Sequence, residues 1–250
     1  MTFAAGLALG GMIPVVAVYS SFLQRAVDQI IEDVCLQNLH VIFAVDRAGL
    51  VGSDGETHQG CFDLSYLSMI PNMTVMAPKN KWELSDMMKF AVSYDGPIAV
   101  RYPRGEAYDG LEEFREPIVR GRSEMIYRGK GIALLAVGSM VKTAEAVRKK
   151  LLEDGDNPTL VNARFVKPLD KKMLDSLAKD HEVIVTMEEN VKSGGFGSAV
   201  VEYLHTAYPE VQVLSAALPD VFMEHGSPEK LKEKAGIDAG SIYNRIKEAR

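Results

Sequence analysis

Short apolar runs alternate with segments of helical period along almost the whole chain, and that alternation restricts the fold to a narrow class. Residues 40–45 (HVIFAV) are an apolar run between polar neighbours, as a strand covered on both faces requires. Residues 22–36 place Phe22, Ala26, Ile30 and Val34 on one helical face. A helix near 62–69, a strand at 74–76, a helix at 81–94 and a strand at 98–102 follow. Repeated strand–helix–strand units with short connections build a parallel sheet with helices on both sides. The charged stretch 105–130, which contains Pro117, breaks the rhythm and reads as a linker. The alternation then restarts with strand 132–137, helix 140–153, strand 159–163, helix 171–179, strand 183–186, helix 197–208, strand 211–215 and two terminal helices. The expected fold is two consecutive parallel-sheet α/β domains with helices on both faces, over residues 1–118 and 119–250. Domains cluster near about 100–150 residues, so the length suits two.

Residues 1–24 contain no charged side chain, which invites a signal-peptide or membrane-span reading. A secretory signal starts with a basic stretch, and none is present. A spanning helix needs about 20 continuous apolar residues, whereas Gly10, Gly11 and Pro14 interrupt this run. The better parse is a buried helix over 3–9 ended by Gly10-Gly11, then a strand at 13–18, with no membrane association. Cys35 and Cys61 form no CxxC pair, so no disulfide scaffold is expected and the chain reads as cytoplasmic. The 28 Lys and Arg against 34 Asp and Glu leave a net charge of −6, which argues against a nucleic-acid partner.

The densest polar cluster is Asp46-Arg47-Ala48-Gly49, followed by a loop from Gly52 to Gly60 that holds Asp54, Glu56 and His58. It follows a predicted strand at its carboxyl end, where open α/β sheets place their ligand crevices. Arg101-Tyr102-Pro103-Arg104-Gly105 closes another strand. Guanidinium forks match phosphate, so Arg47 and Arg104 at equivalent strand ends read as a two-arginine phosphate clamp. Ser193-Gly194-Gly195-Phe196-Gly197 fits neither a dinucleotide fingerprint nor a Walker loop and reads as a tight strand-to-helix turn. Glu188 and Glu189 read as solvated carboxylates, His40, His181 and His205 as surface or capping residues, and Cys61 as a small buried residue. His225 is left open between structure and function. No His or acidic pair has zinc-like spacing, so no metal site is expected within the chain.

The segments TFAAGLALGG, YSSFLQRAVDQI, DRAGLVGSDGETHQGCFDLSYL, RYPRG, RFVKPLD and LPDVFMEHGSPEKL together resemble the 1-deoxy-D-xylulose-5-phosphate synthases, thiamin-diphosphate enzymes of the transketolase superfamily. The resemblance runs from residue 2 to about residue 231. It implies a transferase that joins pyruvate to D-glyceraldehyde 3-phosphate with loss of CO2, feeding isoprenoid, thiamin and pyridoxal synthesis. Carried over by position, Phe22 would stack on the aminopyrimidine and Tyr19 would lie by the reacting centre. Arg47 and Arg104, with Arg25 adding charge nearby, would hold the acceptor phosphate. Asp54 and His58 would contact substrate or intermediate, His58 carrying the proton. The resemblance also implies a homodimer. It places the family's catalytic glutamate, its diphosphate-binding domain and the Mg2+ ligands upstream of Met1. The chain is therefore expected to correspond to most of a pyrimidine-binding domain plus a transketolase C-terminal domain, and to be silent alone. Two alternatives stand beside this: a β-subunit-like partner of a 2-oxo-acid dehydrogenase or transketolase, and a non-catalytic assembly module.

Overall fold

The computed structural model describes residues 1–250, which form two five-stranded sheets. The first half runs α1 (Thr2–Leu9), β1 (Val15–Tyr19), α2 (Ser20–Leu23), a 3-10 turn (Gln24–Ala26), α3 (Val27–Gln29) and a π-helical turn (Ile30–Cys35). It continues through β2 (Ile42–Asp46), α4 (Asp63–Ser68), β3 (Thr74–Met76), α5 (Lys81–Ser93) and β4 (Ile98–Arg101). The second half comprises β5 (Glu124–Tyr127), β6 (Gly131–Ala136), α6 (Met140–Glu153), β7 (Thr159–Asn162), β8 (Phe165–Lys167) and α7 (Lys171–Asp180). It ends with β9 (His181–Val191), α8 (Phe196–Ala207), β10 (Gln212–Leu218), α9 (Pro228–Ala235) and α10 (Ala239–Glu248). No helix is long and apolar enough to cross a membrane.

The sheets are ordered β1-β2-β4-β3-β8 and β10-β9-β6-β7-β5. Both are parallel except at one edge each, where β8 runs antiparallel to β3 and β5 antiparallel to β7. The expected pair of parallel-sheet α/β units is present, and each sheet adds one antiparallel edge strand. β5 lies inside the stretch read as a linker. β8 comes from the second half of the chain but completes the first sheet, so the two halves interlock.

Strand periodicity explains how two sheets serve three cores. In β6, Ala133 and Leu135 enter a core shared by both sheets, while Ile132, Leu134 and Ala136 face a second core under α6 and α10. In β2, Phe43 and Val45 enter the shared core and Ile42 faces a third core with Met87 and Phe165. Successive side chains leave a strand on opposite faces, so a strand buried on both sides must be apolar throughout.

Two local expectations are corrected. The single helix over 22–36 is broken into α2, a 3-10 turn, α3 and a π-helical turn. Leu36 N donates to Ile31 O at 2.9 Å, a widened turn in which Ile30, Val34 and Cys35 are all buried. The helix over 3–9 forms, but only Ala4 and Ala5 are covered, and Phe3 and Leu9 are exposed.

A buried ionic lattice joins the halves. Lys79 Nζ donates to Glu124 Oε2 at 2.7 Å and to Glu83 Oε1 at 3.2 Å. Arg164 donates from Nε to Glu83 Oε1 and from Nη2 to Glu124 Oε1, both at 2.7 Å. Asn162 Nδ2 adds bonds of 2.9 Å to both oxygens of Glu83. Two cations and two anions cancel, which is the condition under which charges tolerate burial.

Candidate active site

Register decides which side chains meet. Tyr19 aligns with Asp46 and Val45 with Arg101, so the chain leaves β1, β2 and β4 at one edge of the first sheet. Tyr19, Arg47 and Arg104 all emerge there. Arg47 adopts the left-handed region, φ 54°, where its own N–H donates to Asp46 Oδ1 at 2.6 Å. Gly49 and Gly60 then exchange two backbone hydrogen bonds of 2.7 and 2.8 Å, closing a loop that carries Asp54 and His58.

Inside that loop Asp54 bridges both arginines. Its Oδ1 accepts from Arg104 Nη1 at 2.8 Å, and its Oδ2 pairs with Arg47 Nη1. The Arg47 guanidinium carbon lies 4.1 Å from the centroid of the Tyr19 ring, a cation–π contact. Phe22 stands between two rings, its centroid 5.3 Å from that of Tyr19 and 5.3 Å, edge-on, from that of His58. Phe22 remains 49% exposed, so one face is open to a planar partner. Six of the seven residues singled out by sequence are therefore contiguous. Arg25 is the exception: it is exposed in the 3-10 turn and makes no ion pair or hydrogen bond.

The loop rests on a buried base that the sequence did not reveal. Arg101 donates from Nε to Asp63 Oδ2 at 2.6 Å, and from Nη2 to Asp63 Oδ1, Gly60 O and Glu189 O at 3.2, 3.3 and 2.9 Å. Glu188 and Glu189, expected to be solvated, are both buried, because β9 continues to Val191 with both faces covered. Glu188 accepts from Phe196 N at 2.8 Å and Gly197 N at 2.7 Å, where α8 begins. Burial pushes its carboxyl up to about 7, against the pull of those amides and of Arg101. Glu189 pairs with Lys232 of α9 and accepts from Leu50 N at 3.3 Å. The only sequence signal for these partners was the adjacency of two carboxylates just before a glycine turn.

Other expectations fall on either side. Cys61 is buried beside Gly49 O, and burial pushes its thiol up to about 12, so it is a packing residue. His205 is exposed, as expected. His181 is instead buried, with Nε2 2.6 Å from Thr159 Oγ1 and Nδ1 2.9 Å from Leu177 O. His225 is exposed beside Gly55.

The strand order of the second sheet reverses between β6 and β9, and the carboxyl ends of both strands open toward the arginine loop. The result is a cleft of about 890 Å³ between the sheets, lined by Arg47 and Arg104 on one side and Ser139, Lys142, Glu189 and Lys232 on the other. Five cations (Arg47, Lys79, Arg104, Lys142 and Lys232) and five carboxylates share these walls, so the cleft is balanced as a whole. No group of three or more His, Cys, Asp or Glu side chains is placed to hold a metal ion.

Comparison with known proteins agrees with this geometry. The family model described as the transketolase pyrimidine binding domain matches residues 1–109, and that of the transketolase C-terminal domain matches residues 121–242. The 1-deoxy-D-xylulose-5-phosphate synthase of Lachnoclostridium phytofermentans is 56% identical over 247 residues, covering 98% of this chain and 40% of that protein. The synthase of Chlorobaculum tepidum is 51% identical over 251 residues, covering 99% of this chain and 39% of that protein. The chain thus spans about 40% of the length of the curated relatives it matches. A solved structure described as a split gene transketolase, an inactive β4 tetramer, superposes with a TM-score of 0.88 at 31% identity, covering 99% of this chain and 79% of that one. With both transketolase domains matched in order and a solved transketolase chain superposing on 99% of these residues, the chain belongs to the transketolase family and is a relative of the 1-deoxy-D-xylulose-5-phosphate synthases.

Proposed function

We propose that this chain forms the acceptor side of the active site of a thiamin-diphosphate-dependent 1-deoxy-D-xylulose-5-phosphate synthase. That enzyme joins pyruvate to D-glyceraldehyde 3-phosphate with release of CO2. The observation that carries the reading is the convergence of Arg47 and Arg104 on one carboxylate beside the open face of Phe22. The residues fit the cofactor, because a half-exposed phenyl ring flanked by Tyr19 and His58 gives an aminopyrimidine a surface to stack on. When bound, thiamin diphosphate supplies the nucleophilic carbon and the electron sink for breaking the carbon–carbon bond of pyruvate.

The chain's own residues bind, orient and move protons. Arg47 and Arg104 take the acceptor phosphate as a two-pronged clamp, each charged hydrogen bond contributing about 1.5–3 kcal/mol. Tyr19 holds the Arg47 guanidinium in place from below. His58, at the edge of Phe22, carries the proton to or from the substrate oxygen, the task to which imidazole is suited near neutral pH. Asp54 orders the clamp until phosphate arrives. Arg25 adds positive potential at longer range. The division falls near residue 118 between a pyrimidine-facing and a C-terminal domain, the protein works in the cytoplasm as a homodimer, and Mg2+ with the diphosphate is held by a domain outside these residues.

One comparison favours a second arrangement of the same site. The chain covers 79% of the split-gene transketolase chain, which supports action as a β-type subunit beside a separate diphosphate-binding chain.

The test is CO2 release from pyruvate and D-glyceraldehyde 3-phosphate with thiamin diphosphate and Mg2+. It is run on this chain alone and on this chain joined to, or mixed with, a diphosphate-binding domain of a synthase. Turnover only in the completed enzyme supports the proposal. Arg104→Ala in that enzyme is expected to raise the KM for the phosphorylated aldehyde about tenfold or more while leaving that for pyruvate unchanged. Silence of the completed enzyme, or equal effects on both substrates, overturns it.

A further inference from the structure

The loop that presents Arg47, Asp54 and His58 is anchored from two directions. Its own half of the chain supplies Ala48 N to Tyr102 O at 3.0 Å and Arg101 to Gly60 O at 3.3 Å. The other half supplies Gly226 N to Gly52 O at 3.4 Å and accepts from Gln59 Nε2 at Glu224 O, 2.8 Å away. Only one side chain of the second half bonds the loop's backbone, and it does so three residues from Arg47. That side chain is Glu189, which accepts from Leu50 N at 3.3 Å.

Glu189 is an unusual choice for such a role. Its carboxylate is only 3% exposed, and a buried lone carboxylate is costly. Lys232, reaching from α9 along the wall of the cleft, supplies the compensating charge. The missing side chain of Gly49 leaves room for the carboxylate. A Cβ on Gly49 would lie 2.2 Å from Glu189 Oε2 and 2.9 Å from Glu189 Cβ. Gly49 also has φ +79°. The carboxylate, its lysine and the vacant Cβ position form a fitted contact that spans the two sheets and ends on the Leu50 peptide, three residues from the arginine.

We infer that Glu189, held in charge balance by Lys232, is a positioning residue that sets where the second half of the chain places the Arg47–Asp54 loop, and so sets affinity for phosphate. The inference rests on the phosphate site proposed above. Glu189 touches no ligand in this role. It acts through the Leu50 peptide, which fixes the direction in which Arg47 leaves β2. Lys232 acts one step further back, by pairing with the other carboxylate oxygen and so keeping the carboxylate turned toward that peptide.

Two readouts on the folded chain separate this role from general stability. Amide hydrogen exchange follows Leu50 directly, and a titration with inorganic phosphate follows the clamp. Glu189→Ala is expected to speed exchange at Leu50 at least tenfold, and to weaken phosphate binding at least fivefold, with β6 and β7 unchanged. Lys232→Met should move both in the same direction by a smaller factor. Glu189→Gln retains a carbonyl oxygen for the Leu50 N–H and should stay within about twofold of the parent. This conservative rescue also guards against failure of the alanine variant to fold. Unchanged exchange at Leu50 in folded Glu189→Ala overturns the inference, as does faster exchange with undiminished phosphate affinity in a chain that binds phosphate. If the parent binds no phosphate and Arg104→Ala changes nothing, the phosphate reading fails, and the exchange at Leu50 still decides the positioning role by itself.

Discussion

Asp54 and Arg104 lie fifty positions apart in sequence, yet Asp54 Oδ1 accepts from Arg104 Nη1 at 2.8 Å. The second oxygen of the same carboxylate pairs with Arg47. A phosphate entering the clamp competes with this internal anion for the same N–H groups. Asp54→Asn removes the competing charge and keeps the shape. It is expected to tighten inorganic phosphate binding by about fivefold, or about 1 kcal/mol, the modest figure following from the solvent exposure of the pair. Isothermal titration of the folded chain at low ionic strength measures it, and the gain should shrink as salt is added.

Gly49→Ala should destabilise the chain by at least about 2 kcal/mol. A left-handed non-glycine residue costs about 1–2 kcal/mol, and the new Cβ also drives into Glu189. Urea denaturation gives the loss. Combining Gly49→Ala with Glu189→Ala should cost less than the two losses taken separately, since the second substitution removes the closest contact, that with Oε2, and leaves only the Cβ at 2.9 Å.

Glu188 makes stability depend on pH. Its carboxyl is raised from the ordinary 4.5 to about 7 by burial, so the folded chain prefers it protonated. The unfolded chain releases that proton near 4.5 and the folded chain near 7, so the contribution is fully present below the first value and is lost as pH rises through the second. At about 1.4 kcal/mol per pH unit that interval corresponds to about 3 kcal/mol. Unfolding free energies at pH 5 and pH 8 should therefore differ by about that much more in the parent than in Glu188→Gln. An equal difference in both proteins would show that Glu188 does not titrate in this range.

The lattice of Lys79, Glu83, Glu124 and Arg164 is balanced only as a set. Glu124→Gln leaves two buried cations facing one carboxylate, and breaking a buried pair in this way costs about 3–5 kcal/mol. Thermal unfolding should show the loss. Exchange protection should fall on both α5 and β7, because Glu83 and Asn162 lie in those elements.

The parts of this molecule that were legible in sequence are those with a local cause. Strands such as β2 and β6 are apolar on both faces, α6 has a strong helical period, and the loop after β2 concentrates Gly, Asp, Arg and His. Those signals singled out Arg47, Asp54, His58 and Arg104, the family resemblance added Tyr19 and Phe22, and the register of β1, β2 and β4 brings the six together. What escaped has a non-local cause. β8 has only three residues, too few for any period, and its pairing partner β3 lies some ninety positions earlier. Glu188 and Glu189 looked like ordinary surface carboxylates, because their partners, the amides of α8 and Lys232 of α9, become neighbours only after folding. The broken helix after β1 escaped because a change of hydrogen-bond spacing leaves the apolar pattern almost unaltered.

β8 also bears on how such chains can be recombined. The segment matched by the C-terminal family model contains the edge strand of the pyrimidine-domain sheet, with Val166 in the shared core and Phe165 against Met76 and Met87. A chimera joining residues 1–118 of this chain to a relative's remaining segment would import a foreign edge strand into the first sheet, and with it a foreign partner for Lys79 and Glu83. The two segments are therefore not interchangeable cassettes. Residues 162–167 together with Glu124 would have to travel with the first half for a hybrid to keep this packing and the ionic lattice.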